Sequence, residues 1–195
     1  MSRETDRQIT VVLTGAAAGS IMGSVRPSLD IDFGIDMRAG GSSRGKTWAS
    51  VEAAVRATSR KTGIAVNFSE NLDRWSSISL LDYAGHTKPY KRFGRIHVRV
   101  LEPAYWAIGK LSRYVQSDIS DLRRVLKTQS PSPLPTVRLW GKALKASPRS
   151  TACFQFRQHV EHFLQRYARE IWGDRLGADR AIREFRRAAS IRLSP

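Results

Sequence analysis

Two hydrophobic periods alternate along the chain, and the switches between them mark its elements. Ile9-Thr-Val-Val-Leu13 is a short β-branched run, which predicts a buried strand ended by Gly15. Ala16 to Met22 is made of small residues and predicts a short helix that Gly23 stops. After the turn Arg26-Pro27-Ser28, residues 29–37 alternate with period two. A strand there places Asp30, Asp32 and Asp36 on one face, with Ile31, Phe33 and Ile35 on the other. Residues 40–45 read as a loop, 48–62 as a helix ended by Gly63, and 64–68 as a strand. Strands are expected at 78–81 and 95–101, flanking a basic loop from His86 to Gly94. Pro103 suits the first turn of a helix running from Ala104 to about Gln116, and residues 119–127 predict another.

Ser130-Pro-Ser-Pro-Leu-Pro135 is the sharpest break, and residues 130–136 read as a linker or rigid loop. It divides a first unit, 1–129, from a basic helical C-terminal region, 137–195. In that region Phe156, Val160, Phe163, Leu164, Tyr167 and Ile171 fall on one helical stripe that Gly173 ends, and 179–189 predict a last helix. Together these elements give an α/β fold: a small mixed sheet with flanking helices, then a helical C-terminal part.

Composition narrows the setting. The chain has 195 residues, 41% of them hydrophobic, enough for a proper core. Its single cysteine, Cys153, excludes an internal disulfide and a Cys-based zinc cluster, so a reduced, cytoplasmic compartment is the simpler expectation. No run of about 18 apolar residues offers a membrane span. The N-terminal Met-Ser-Arg-Glu-Thr-Asp-Arg is unlike a signal peptide. The net charge is +16, and residues 86–150 carry 14 basic against 3 acidic residues. A basic field of this kind favours polyanions, with nucleic acid the default partner.

The acidic strand carries the sharpest candidate chemistry. Two carboxylates at i and i+2 share a face, so Asp30 and Asp32 can reach one hard cation. Mg²⁺, or Mn²⁺, completes such a shell with water and phosphate oxygens. Bound there, it stabilises the charge of phosphoryl or nucleotidyl transfer. Two acids on a solvent face are common, so the pair alone is a weak signal. The preceding strand, Gly15 turn and small-residue helix add a place where free N–H groups suit a triphosphate.

Leu13-Thr-Gly15-Ala16, thirteen further residues and then Asp30-Ile-Asp32 resemble the signature of the DNA polymerase β-type nucleotidyltransferases. There a hydrophobic residue, Gly, and Gly or Ser precede the Asp-x-Asp by a similar gap. Ala16 departs from that Gly or Ser. Gly19-Ser20, with nine residues between it and Asp30, also falls within the gap and keeps Ser20 as an alternative. Lys110-Leu-Ser-Arg113 followed by Asp118-Ile-Ser-Asp121-Leu is similar to the downstream motif of the AbiEii-like branch. That branch includes toxins of toxin–antitoxin and phage-defence systems. Arg26-Pro-Ser28 resembles the Arg-x-Thr that precedes its Asp-x-Asp.

The resemblance covers roughly residues 9–127. It implies a minimal nucleotidyltransferase fold, an NTP substrate with Mg²⁺, an RNA acceptor such as the tRNA 3′ end, and a cognate antitoxin as partner. Asp30 and Asp32 would hold the metal. Lys110 and Arg113 would hold the triphosphate, with Gly15, Ala16, Ser20, Arg26 and Ser28 around the nucleotide. Asp118 or Asp121 would support the lysine or activate the acceptor. On one continuous helix Lys110 and Asp121 point nearly the same way, above a buried stripe of Leu111, Val115, Ile119 and Leu122. Polymerase-type enzymes add a third carboxylate from a later strand; at 78–81 this chain offers Ser79, with Asp82 on the opposite parity. The AbiEii-like branch often manages without it.

Other charged groups bear on partners. Lys88, Lys91, Arg92 and Arg95, interleaved with Tyr90 and Phe93, form a basic, aromatic segment able to hold RNA phosphates and stack a base. Arg166, Arg169, Arg183, Arg186 and Arg187 extend a basic surface along the tail. His97 reads as a strand residue, and His159 and His162 lack the acids of a metal site. Two competing readings keep the fold. One is a non-catalytic nucleic-acid-binding or antitoxin-type protein, and the other a transferase whose acceptor is a protein hydroxyl.

Overall fold

The structure, a computed structural model, describes residues 9–24, 27–36, 44–74 and 76–191, with the backbone alone for 44–47. Among them β1 (Ile9–Leu13), β2 (Asp30–Asp36), β3 (Ala65–Ser69), β4 (Thr87–Phe93) and β5 (Ile96–Leu101) form one sheet. The strand order is β3-β2-β1-β5-β4. It is mixed: β1–β2 and β4–β5 run antiparallel, β1–β5 and β2–β3 parallel. The helices are α1 (Gly15–Ile21), α2 (Arg44–Thr62), α3 (Pro103–Arg113), α4 (Gln116–Gln129), α5 (Pro133–Ala146), α6 (Thr151–Trp172) and α7 (Ala178–Ala188). The fold is therefore α/β, a small mixed sheet flanked by helices. Among the described residues no helix is long and apolar enough to cross a membrane.

The alternation of β2 fixes which face the helices cover. Phe33 and Ile35 are buried, and the Phe33 ring stacks on Phe68 of β3 at 5.7 Å. Trp48 of α2 meets Phe68 at 5.9 Å, so α2 lies over this side. The opposite face carries Asp30, Asp32 and Gly34. A side chain at Gly34 would put its Cβ 2.7 Å from Leu72 Cγ, so glycine lets the segment after β3 close onto the sheet.

Most of the core is helical. Trp106, Ile108 and Leu111 of α3 interlock with Leu122, Val125 and Leu126 of α4. The apolar stripe of α6 is buried as its spacing predicts, with Tyr167 at its margin. Fully burying Phe156, Phe163 and Leu164 contributes about 1.5–3 kcal/mol each. One cluster runs unbroken from Val12 of β1 to Phe185 of α7.

Four expectations need correction. The Pro-rich stretch is not a linker: Pro133 opens α5, where its missing N–H and fixed φ cost nothing. Trp172 Nε1 donates to the Pro131 carbonyl at 3.1 Å and Trp140 Nε1 to Ala104 at 2.9 Å, tying this turn and α5 into the shared core. The supposed basic loop is β4 itself. An edge strand exposed on both faces needs no apolar alternation, and its charges, Pro89 and a register shift between Pro89 and Lys91 guard the open edge.

Residues 78–81, in turn, form no strand, although Ile78 and Leu80 are buried. Side chains satisfy their backbone instead: Asp73 accepts from the Leu80 N–H at 2.5 Å and Ser147 Oγ from the Ser79 N–H at 2.8 Å. The helix expected to run on to Gln116 ends at Arg113. Tyr114 takes a left-handed conformation (φ 56°), and Val115 is left 55% exposed outside the stripe.

Candidate functional site

The Asp-x-Asp pair sits where β2 is held from both sides. The Thr14 N–H donates to the Asp32 carbonyl at 2.9 Å, just before the chain turns into α1. Gly15 makes that turn with φ 62°, and an added Cβ would fall on the Asp32 carboxylate. Glycine is thus required twice, for conformation and for space. On the other side β3 pairs Asn67 with Asp32. Asn67 Nδ2 donates to Asp30 Oδ2 and Asp32 Oδ1, each at 2.9 Å, so one amide gathers both carboxylates. The Ser28 hydroxyl donates to the Asp30 carbonyl and steadies the start of the strand.

The second motif forms a buried ion cluster. Lys110, 2% exposed, donates to Asp118 Oδ1 at 2.9 Å and Asp121 Oδ2 at 2.8 Å. Arg113 donates to the same Asp118 oxygen at 2.9 Å, yet its side chain is 63% exposed. The Ser24 hydroxyl closes the set on Asp121 Oδ1 at 2.7 Å. The bend at Tyr114 makes this possible, because it folds α4 back so that its first turns face Lys110. Two cations and two carboxylates cancel, which is the condition for burying charge at tolerable cost. Lys110 Nζ also lies 5.4 Å from the Trp106 ring centre, and Trp106 Nε1 donates to the Gly15 carbonyl at 2.7 Å. That tryptophan links the two motifs.

Both motifs border one cleft of about 220 Å³. Thr14, Gly15 and Asp32 form one wall; Lys110, Ser112 and Arg113 stand on α3; Leu72, Leu80, Leu101, Tyr105 and Trp106 supply apolar floor. Burial, reinforced by Glu102 and Asp82, raises the Tyr105 phenol above its ordinary range and keeps it a neutral hydrogen-bond donor. Behind the cleft, Tyr114 donates to or accepts from His162 Nδ1 at 2.7 Å and stacks on His159. Burial pushes the Tyr114 phenol well upward too.

Not every predicted residue reaches this cleft. Ala16 does not line it, and exposed Ser20 donates back to the Ala16 carbonyl at 3.2 Å. Asp118 is fully buried, so it supports Lys110 and Arg113 and is shielded from any acceptor; Asp121 opens onto a different groove. Lys88, Lys91, Arg92 and Arg95 lie on β4 and the β4–β5 turn, three strand spacings from β2, or about 14 Å. Arg26 lies outside the described residues. Asn67 is the residue that sequence reasoning missed. Only the parallel β2–β3 pairing sets its amide beside the two carboxylates.

Among the described residues no group of three or more His, Cys, Asp or Glu is placed to hold a metal. Asp30 and Asp32 are the fitting pair: their oxygens already converge on a single donor atom, as they would on a cation. The chain matches no protein-family model, no curated protein and no solved structure.

Proposed function

We propose that the chain is a nucleotidyltransferase that moves a nucleotide from an NTP to an RNA acceptor. One observation carries the reading: a single cleft collects Gly15 and Asp32 from the first motif and Lys110 and Arg113 from the second. Those are the residues on which the resemblance to the AbiEii-like nucleotidyltransferases rests. Asp30 and Asp32 would hold Mg²⁺ or Mn²⁺, which supplies charge neutralisation at the phosphates. The cleft is smaller than the ~300–1,000 Å³ of ordinary ligand pockets, so it takes part of the nucleotide. Its apolar floor suits the base, and exposed Arg113 suits the phosphates. In the reaction the acceptor hydroxyl forms a new P–O bond at the α-phosphorus, its proton passes to solvent, and pyrophosphate leaves with the broken bond.

The chain's charge, +16 overall, favours RNA, and the resemblance favours the tRNA 3′ end within a toxin–antitoxin or phage-defence setting with a cognate antitoxin. Incubation with each labelled NTP and total RNA tests this. Incorporation by the wild type and none by Asp32→Ala is expected; equal incorporation by both overturns it. Label on protein in place of RNA would move the acceptor to a protein hydroxyl. Asn67, an amide beside the two carboxylates, favours one other reading, a non-catalytic nucleic-acid-binding protein. That reading requires RNA binding to survive in Asp30→Ala/Asp32→Ala with no NTP turnover.

A further inference from the structure

A second, larger depression of about 630 Å³ lies on the other side of the buried ion cluster. Its floor is one face of α4, where Ser117, Ser120, Arg124, Lys127 and Thr128 recur at helical spacing. The turn after α1 forms a wall: a Cβ at Gly23 would come within 3.1 Å of Thr128, and Gln129 Nε2 donates to the Met22 carbonyl at 3.1 Å. Both carboxylates in the groove are already neutralised. Asp121 is engaged by Lys110 and Ser24, and Glu170 takes a two-pronged contact from Arg123 at 2.9–3.2 Å. Arg124 and Lys127 are exposed and have no acidic partner among the described residues. The groove is therefore net positive and rich in hydroxyl donors, and it tracks one helix.

We infer that this groove holds the sugar–phosphate backbone of a single-stranded RNA end. The chemistry is that of a strand-tracking site, with point cations and hydroxyls meeting successive phosphates. Position supports it as strongly as charge. Lys110 lines the cleft while Asp121, 2.8 Å away, lines the groove, so one ion pair separates the two depressions. An RNA end lying along α4 is thereby presented to the cleft. The basic strand β4 is charged as well, but the sheet sets it apart from the cleft. The inference rests on the transfer reading for its biological sense and on the groove alone for its binding.

The test is binding of a fluorescein-labelled single-stranded RNA, measured by anisotropy across a salt series without NTP or divalent metal. Arg124→Ser/Lys127→Ser should weaken binding about 10-fold or more and flatten the log–log salt slope by about 1.4, the value for two lost phosphate contacts on a single strand. Lys88→Ser/Lys91→Ser should have the smaller effect. In the wild-type protein, RNA should shield Lys127 from acetylation, read by mass spectrometry, which does not depend on any variant folding. No RNA binding, unchanged binding in Arg124→Ser/Lys127→Ser, a larger loss in the β4 variant, or an unshielded Lys127 overturns the inference. Groove-dependent binding without any nucleotide transfer would sink the transfer reading and leave the groove standing.

Discussion

Replacing Lys110 by methionine tests how far the buried cation holds the α3–α4 corner together. The variant keeps most of the side-chain volume and removes a charge that is 2% exposed. Asp118 would lose its lysine and retain Arg113, and Asp121 would lose its lysine while keeping the Ser24 hydroxyl among its partners. Breaking a buried ion pair from one side costs about 3–5 kcal/mol, because the orphaned charge stays buried. For a chain of this size the melting temperature should fall by about 6–20 °C. That consumes much of a total stability of about 5–15 kcal/mol. Urea unfolding followed by circular dichroism reads the loss directly. Neutralising the acids as well, in Lys110→Met/Asp118→Asn/Asp121→Asn, should recover most of it. Arg113→Ala takes one cation from buried Asp118 but leaves its Lys110 contact, so it should cost less than Lys110→Met. If Lys110→Met unfolds within about 1 kcal/mol of the wild type, or the triple variant recovers nothing, the account of a buried neutral cluster is wrong.

Four further outcomes are expected. Asn67→Asp sets a third carboxylate beside Asp30 and Asp32, so it should melt lower than the wild type without metal and gain more on adding Mg²⁺, as thermal scans with and without the ion would record. Gly15→Ala faces both a left-handed φ and the Asp32 carboxylate; a loss of at least about 1–2 kcal/mol is expected in urea unfolding, together with loss of any Mg²⁺-dependent stabilisation. Gly141→Ala drives a Cβ against backbone atoms of α7, 2.5 Å from the Phe185 carbonyl oxygen, and should cost about 1–3 kcal/mol by the same assay. Hydrogen bonding from Arg186, then Arg157, lowers the Glu161 pKa below its ordinary 4.5. The stability it contributes is present above pH 4.5 and lost as pH falls through the lowered folded value, so Glu161→Gln should show a weaker stability decline in that acid window.

Periodicity made β1, β2 and α6 legible because burial there follows one face. It failed at β4, where an edge strand buries neither face, and at 78–81, where an apolar run gets its hydrogen bonds from Asp73 and Ser147 in place of a ladder. Spacing singled out Lys110, Arg113, Asp118 and Asp121 as a set. It could not say that Lys110 points inward, because the left-handed turn at Tyr114 leaves no pattern in the residues around it. Asn67 was invisible for a related reason: strand pairing, not sequence distance, sets it beside Asp32.

The shared core has a consequence for synthesis. The α3 wall of the cleft is backed by residues made later: His159 hydrogen-bonds the Leu111 carbonyl at 2.9 Å, and Phe163 packs under Tyr114. In turn α7 closes over α5 at Gly141. A chain emerging from the ribosome N-terminus first carries Asp30 and Asp32 long before it has the helices that hold Lys110 and Arg113 opposite them. Assembly of the cleft is thereby deferred to the last stage of translation, and a nascent chain stalled before α6 would hold half a site without its backing.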